Sequence, residues 1–453
     1  MNKTQMIKKL FTNIFFFSIV FIILSVAAGF YYYDRVAQKT PADKGQISYS
    51  DFRVFWFASY HLRHHILEVF DPSTGRSTFR PFWFLDPRLR NKAEKTARPG
   101  DYLVYDKNEK FYHFRYSPFV AFIMLPLGRI AFPADALIIW YALLNLLFLL
   151  SLLLLTRQLK IDFNLSDMES YIILWSIFIA FLRFYLINIS LGQTDIITLF
   201  IFVLFLISYT KNRDILCGIL FALILQFKPF FAPMLVYFLF TRKITIILST
   251  VISFIFFLIV PSYLIGLKAA LGLSRDWLEV LKMSIPSQIL NVKNQSLVYA
   301  IGSQIFKIES IKRLFGSATN LLSLISVIFT LFSCAAIASL KKSSIRHDDK
   351  KIKYMEISLL IIMSLLFTPL AWEAHFISLL IPAGVAICLV FNSKNKKAPF
   401  YALGAFFILS CIAGTDITKF IFFINKLHFN ITLGTLFLAF ALIYLEFDSS
   451  AGS

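Results

Sequence analysis

Stretches that carry almost no charge and outrun the roughly 20 residues needed to cross a bilayer govern what this chain can become. Residues 10–33 and 134–156 are two of them. In hydrocarbon a helix satisfies all of its own backbone hydrogen bonds, so such runs, repeated along the chain, specify an all-α polytopic membrane protein. Composition agrees. Of 453 residues 58% are hydrophobic, only 16% are charged and 52 are Phe, whereas a soluble domain carries about a quarter charged residues. One globular core cannot hide that much apolar surface.

The 45 Lys and Arg against 26 Asp and Glu leave a net charge of +19. In a soluble chain this would point to nucleic acid. Here much of the excess sits in short loops between apolar runs, as in cytoplasmic loops facing anionic lipid. Membrane lipids are therefore expected partners and nucleic acid is not. Cys217, Cys334, Cys388 and Cys411 all lie inside apolar runs, which excludes a loop disulfide framework or a spaced metal site. Lys3, Lys8 and Lys9 before an apolar run look like a signal peptide. That run is too long and too many others follow, so it reads as an uncleaved first helix.

Basic loops set the weave. Residues 1–9, 211–213, 241–243, 341–353 and 392–397 read as cytoplasmic. Residues 34–116 form a long first extracytoplasmic loop and 266–316 a second extracytoplasmic region. The segment 214–240 must go out and return, and Lys228-Pro229 is its expected break. Trp372-Glu373-Ala374-His375 caps a later hairpin. Residues 117–132 are too short for a crossing that keeps the parity and read as re-entrant or interfacial. The count is about 12 transmembrane helices in one membrane domain over 1–447, followed by a disordered tail at 448–453. A multi-pass plasma-membrane protein and a monomer are expected.

Polar residues near a bilayer are costly and need a partner, a wet cavity or a task. Asp51, Arg115, Gln193, Asp195, Lys228, Asn294, Gln295, Glu373 and His375 all map to extracytoplasmic helix ends or loops. Lys228, beside Phe227 and Pro229, is either a snorkelling lysine or a cation beside a lipid phosphate. Asp51 opens Asp51-Phe52-Arg53-Val54-Phe55-Trp56-Phe57-Ala58, which reads as an amphipathic helix on the membrane surface. Its carboxylate is either a favourable N-terminal charge or a general base toward a headgroup hydroxyl. His61, His64 and His65 follow at helical spacing without a carboxylate or cysteine in register, so no metal or other cofactor is indicated. Arg115, in Phe111-Tyr112-His113-Phe114-Arg115-Tyr116-Ser117-Pro118, pairs with a phosphate or with Asp51. Trp372 is a sugar platform or an interface anchor, and the amides are sugar ligands or helix-packing glue.

Taken together the arrangement resembles the GT-C superfamily of membrane glycosyltransferases. The resemblance rests on Asp51 early in a long first loop, on Tyr116-Ser117-Pro118 opening the next apolar segment, and on many short spans. Closer still is the likeness to glycosyltransferase family 87, which includes polyprenol-phosphate-mannose-dependent mannosyltransferases. Asp51 to Ala58, Leu191-Gly192-Gln193-Thr194-Asp195, Gly218 to Lys228-Pro229, Asn294-Gln295-Ser296-Leu297 and Pro369-Leu370-Ala371-Trp372-Glu373-Ala374-His375 carry it in order. The chain has Asp195 where that family usually shows Asn. The resemblance implies a polyprenyl-phosphate-linked hexose donor, mannose in many relatives. It also implies a lipid or envelope-glycan acceptor, an inverting reaction at the extracytoplasmic face, and Asp51 as base. Lys228, Arg115 and His375 would then meet the donor phosphate. Gln193, Asp195, Asn294, Gln295, Trp372 and Glu373 would contact sugar or acceptor. A transporter or flippase of lipid-linked glycans is the alternative reading, because a broken helix and intramembrane polar groups fit that too.

Overall fold

A computed structural model describes residues 3–38, 51–63, 68–71, 76–79, 104–105, 111–112, 116–130, 133–288, 293–343, 349–393, 395–413 and 429–451. The chain is a helical bundle. Helix α1 (Lys3–Gln38) leads to α2 (Asp51–Arg63), and two short helices, α3 (Pro118–Ile123) and α4 (Leu125–Gly128), follow. Then come α5 (Pro133–Asp162), α6 (Asp167–Leu191), α7 (Asp195–Thr210) and α8 (Asp214–Phe227). A 3₁₀ turn at Pro229–Phe231 precedes α9 (Met234–Phe240). The order continues with α10 (Ile244–Ile259), α11 (Ser262–Ile265), α12 (Leu267–Gln288), α13 (Leu297–Ile305), α14 (Glu309–Phe315), α15 (Ala318–Ser343) and α16 (Asp349–Phe367). A second 3₁₀ segment, Glu373–Leu379, leads into α17 (Leu380–Asn392), α18 (Lys397–Phe406) with its π-helical end Phe407–Ile412, and α19 (Asn430–Ala451). The described strands are two short antiparallel pairs in the first loop, β1 (Glu68–Asp71) with β2 (Arg76–Phe79) and β3 (Val104–Tyr105) with β4 (Phe111–Tyr112).

Among the described residues, six helices are long and apolar enough to cross a membrane, from Ile14–Tyr32 to Glu373–Asn392. Five others, including Asp195–Thr210 and Asp214–Phe227, are apolar but only 10–17 residues long. Within the segment 117–132, the described residues 117–130 form the short α3 and α4, neither long enough to cross. Helix α19 runs to Ala451.

Local signals explain the elements that matter for the site. Ser166 and Glu169 close a reciprocal capping box at the start of α6. Gly192 ends that helix in the left-handed conformation at φ +64°, which favours glycine. Helix α8 stops at Lys228-Pro229, because proline at the next position supplies no amide to continue the ladder. Gly218 lets α8 and α10 touch, since a Cβ there would lie 1.8 Å from Ser249 Oγ and 2.7 Å from the Ile246 carbonyl oxygen. Aromatic rings tie α1 to the bundle: Phe17 meets Phe178 edge-on at 5.4 Å, and Phe21 lies 5.9 Å from the Tyr185 ring.

One end of the bundle, where the basic turns lie, is laced by polar contacts. Tyr209 donates to Glu356 at 2.8 Å, and Tyr354 and Lys350 both donate to Asp162 at 2.8 Å. Lys353 donates to Asn212 at 2.9 Å, and Lys243 pairs with Asp214 at 3.4 Å. Asp51, the α6–α7 turn, Lys228 and the 369–375 segment gather at the other end.

Candidate functional site

Helix α2 turns its apolar face toward protein. It docks into the bundle, with Phe52, Phe55, Ala58 and Leu62 fully buried. Phe52 and Phe55 pack on Trp140 of α5, at 5.7 and 5.9 Å between ring centroids. The Trp140 indole donates to the Gly192 carbonyl at 3.0 Å, so one residue fixes both α2 and the α6–α7 turn. A Cβ at Gly192 would lie 2.6 Å from Phe52 Cβ, so glycine also sets how closely the two elements approach. This docking brings Asp51, first residue of α2, onto the Gly192-Gln193-Thr194-Asp195 turn.

The Gln193 amide nitrogen donates to Asp51 Oδ2, and the Tyr116 hydroxyl donates to Gln193 Oε1 at 3.2 Å. Tyr116 precedes Ser117 and Pro118, which cap and open α3. Burial raises the Tyr116 phenol above its ordinary value, with Lys228 opposing that effect, so the hydroxyl keeps its proton and acts as a donor.

Two residues beyond Gln193, Asp195 opens α7 and holds Lys228 through both carboxylate oxygens, at 2.9 and 3.0 Å from Nζ. Both residues are almost fully buried, at 2% and 5% exposure. A buried charge is tolerated when paired and hydrogen-bonded, and the break at Pro229 places Lys228 where that pairing is reached. Its Nζ also lies 5.6 Å from the Tyr116 ring centroid, a cation–π distance. Ser117 Oγ and Gln226 Oε1 are buried nearby without a partner among the described residues, which leaves spare polar capacity.

The 369–375 segment is built from two sides. Asn294 is used up by backbone: its Nδ2 donates to the Pro369 carbonyl at 2.8 Å, while its Oδ1 accepts from the Ala371 and Ser296 amides at 2.9 and 3.1 Å. The Gln295 amide donates to the Ala371 carbonyl at 2.8 Å, and Thr432 donates to the Gln295 carbonyl at 2.6 Å. Asn294 thus holds a loop, and the packing role is the one its contacts display. From α6, Asn188 donates to the Ala374 carbonyl at 3.0 Å and Arg183 pairs with Glu373 at 3.3 Å. Arg183 also donates to the Ser410 and Ala413 carbonyls at 3.1 and 2.6 Å. His375 stacks at 4.9 Å on Phe230, two residues from Lys228, and its Nδ1 accepts from the Trp372 amide at 3.3 Å.

The structure therefore gathers Asp51, Gln193, Asp195 and Lys228, with His375 on the neighbouring wall and Trp372 and Glu373 on the same segment. Arg115, His64, His65 and His113 lie outside the described residues, as does the side chain of His61. Among the described residues no group of three His, Cys, Asp or Glu is arranged to hold a metal ion. Sequence reasoning missed Arg183, Asn188 and the hydrogen-bonding role of Tyr116. Arg183 had a signal, a lone charge within the apolar run of α6.

A search of curated proteins finds no match to the chain. The family model of glycosyltransferase family 87 matches residues 114–369. That stretch includes Gln193, Asp195, Lys228, Asn294 and Gln295; Asp51 precedes it, and Trp372, Glu373 and His375 follow it. A multi-pass helical membrane protein, matched by that family over more than half of its length, the chain belongs to glycosyltransferase family 87.

Proposed function

We propose that this membrane glycosyltransferase moves a hexose, mannose by family likeness, from a polyprenyl-phosphate-sugar to a hydroxyl of a lipid or envelope-glycan acceptor. The observation that carries the proposal is a carboxylate and an ammonium brought to one place by the same few residues. Asp51 is bonded to Gln193, Gln193 to Tyr116, and the Tyr116 ring faces the Asp195-bound Lys228.

The chemistry needs one carboxylate rather than the glycosidase pair. The acceptor oxygen attacks the anomeric carbon as its proton passes to Asp51, and the bond from that carbon to the phosphate oxygen breaks. Polyprenyl phosphate leaves as a stable anion, so no acid is needed to protonate it. A single displacement of this kind inverts the anomeric centre. An ammonium has three donors, so Lys228 can hold Asp195 and still meet charge developing on the phosphate. His375 and Arg115 are further candidates for that anion, and Trp372 and Glu373 for the sugar or acceptor.

The extracytoplasmic face is proposed for the reaction on one ground. The basic turns near Asn212, Lys243 and Lys353 lie at the end opposite Asp51, and basic turns favour the cytoplasm. Plasma-membrane residence and function as a monomer belong to the same proposal.

Mass spectrometry of intact lipids tests it, in cells with no protein, the native protein, or Asp51→Asn at equal level. One envelope lipid or glycan heavier by a single hexose only with the native protein supports transfer and identifies the acceptor. A properly folded Asp51→Asn protein of near-native activity sinks the base assignment. A glycolipid that both forms relocate without a mass change returns the reading to a flippase.

A further inference from the structure

Chemistry fixes the hydrogen-bond directions around Asp51. An ionised carboxylate only accepts, so the Gln193 amide must face it with its NH₂ group. Its carbonyl then faces Tyr116, whose hydroxyl must donate. The flipped amide would set its oxygen against the carboxylate. The carboxylate thus selects the amide orientation, and the Tyr116 hydroxyl, donating to the other end of the amide, holds it there. Tyr116 is well placed for that: Phe55 meets its ring edge-on at 4.7 Å, and Lys228 lies over its face. Phe55 belongs to the same helix that Asp51 opens, so the Tyr116 ring packs on the element that carries the carboxylate.

We propose that Tyr116 and Gln193 are positioning residues for Asp51: the hydroxyl locks the amide, and the amide fixes the plane in which the carboxylate meets the acceptor. The inference rests on the role of Asp51 given above. It moves Gln193 from sugar ligand to support of the base, and gives Tyr116 a task beyond that of an aromatic anchor. Misplacing a reacting group by about 1 Å can cost on the order of 100-fold in rate, which is the scale on which this pair would act.

Tyr116→Phe keeps the ring and removes only the hydroxyl. Each form is expressed at equal level in membranes of cells that lack the gene but retain the acceptor. Initial transfer from tritiated polyprenyl-phosphate-mannose is then measured over a range of donor concentrations. For Tyr116→Phe we expect kcat to fall roughly 10- to 100-fold with donor KM and thermal midpoint unchanged. Gln193→Met should behave alike, and the double variant should be no slower than the worse single one, because the two act as a unit. A native kcat in Tyr116→Phe, or a raised donor KM at native kcat, overturns the proposal; the second result would make Tyr116 a donor ligand. Asp51→Asn is measured alongside. If it too keeps native kcat, the base assignment has failed. If it is inactive while Tyr116→Phe is native, only the positioning role has failed.

Discussion

Lys228 and Asp195 form the pair on which single-residue changes should bite hardest. Removing one partner leaves the other charge buried and alone, which costs about 3–5 kcal/mol. Lys228→Met is therefore expected to lower the thermal midpoint of the purified protein sharply, read by tryptophan fluorescence in detergent. The double variant Lys228→Met with Asp195→Leu should recover most of that stability and none of the transfer activity. That split separates the folding contribution of the pair from its use. Gly192 offers a second test. Alanine there adopts an unfavourable φ and meets Phe52 Cβ at 2.6 Å, a strain of about 1–3 kcal/mol. We expect Gly192→Ala to fold, displace α2 and lose transfer at least roughly 10-fold, measured per mole of protein in the same membrane assay.

At the scale of elements, the sequence was legible where one residue type dictates the backbone. Pro229 ends α8 at Lys228, and Pro118 opens α3. It was not legible where a side chain chooses among distant partners. Gln193 and Asp51 are 142 residues apart, Lys228 and Asp195 are 33 apart, and Asn294 could equally have faced a sugar until its loop was seen around it. Helix α2 is a related case. An apolar helix face reads the same whether lipid or protein covers it. Arg183 gives a prediction of its own. It ties α6 to the 3₁₀ segment and to the end of α18, with two bonds to backbone carbonyls. Charge-assisted hydrogen bonds contribute about 1.5–3 kcal/mol each. Arg183→Met should accordingly lower the thermal midpoint and speed limited proteolysis of the C-terminal helices, while Arg183→Lys should do so less.

Across the whole molecule, the proposed orientation places Lys307 outside and Lys396 inside. Both side chains are exposed. With the four native cysteines buried, a membrane-impermeant maleimide added to intact spheroplasts should label Lys307→Cys and spare Lys396→Cys until the cells are opened. The reverse pattern would invert the assignment. The laced end of the bundle has a further consequence. Glu356, Asp162 and Lys353 are buried there and bonded across helices by Tyr209, Tyr354 and Asn212. Rocking that end open would break these bonds together, so the molecule is ill suited to alternating access. On the proposed reaction the spent carrier and its replacement occupy the same phosphate site in turn, which makes free polyprenyl phosphate a competitive inhibitor of the donor and carrier recycling a control on turnover.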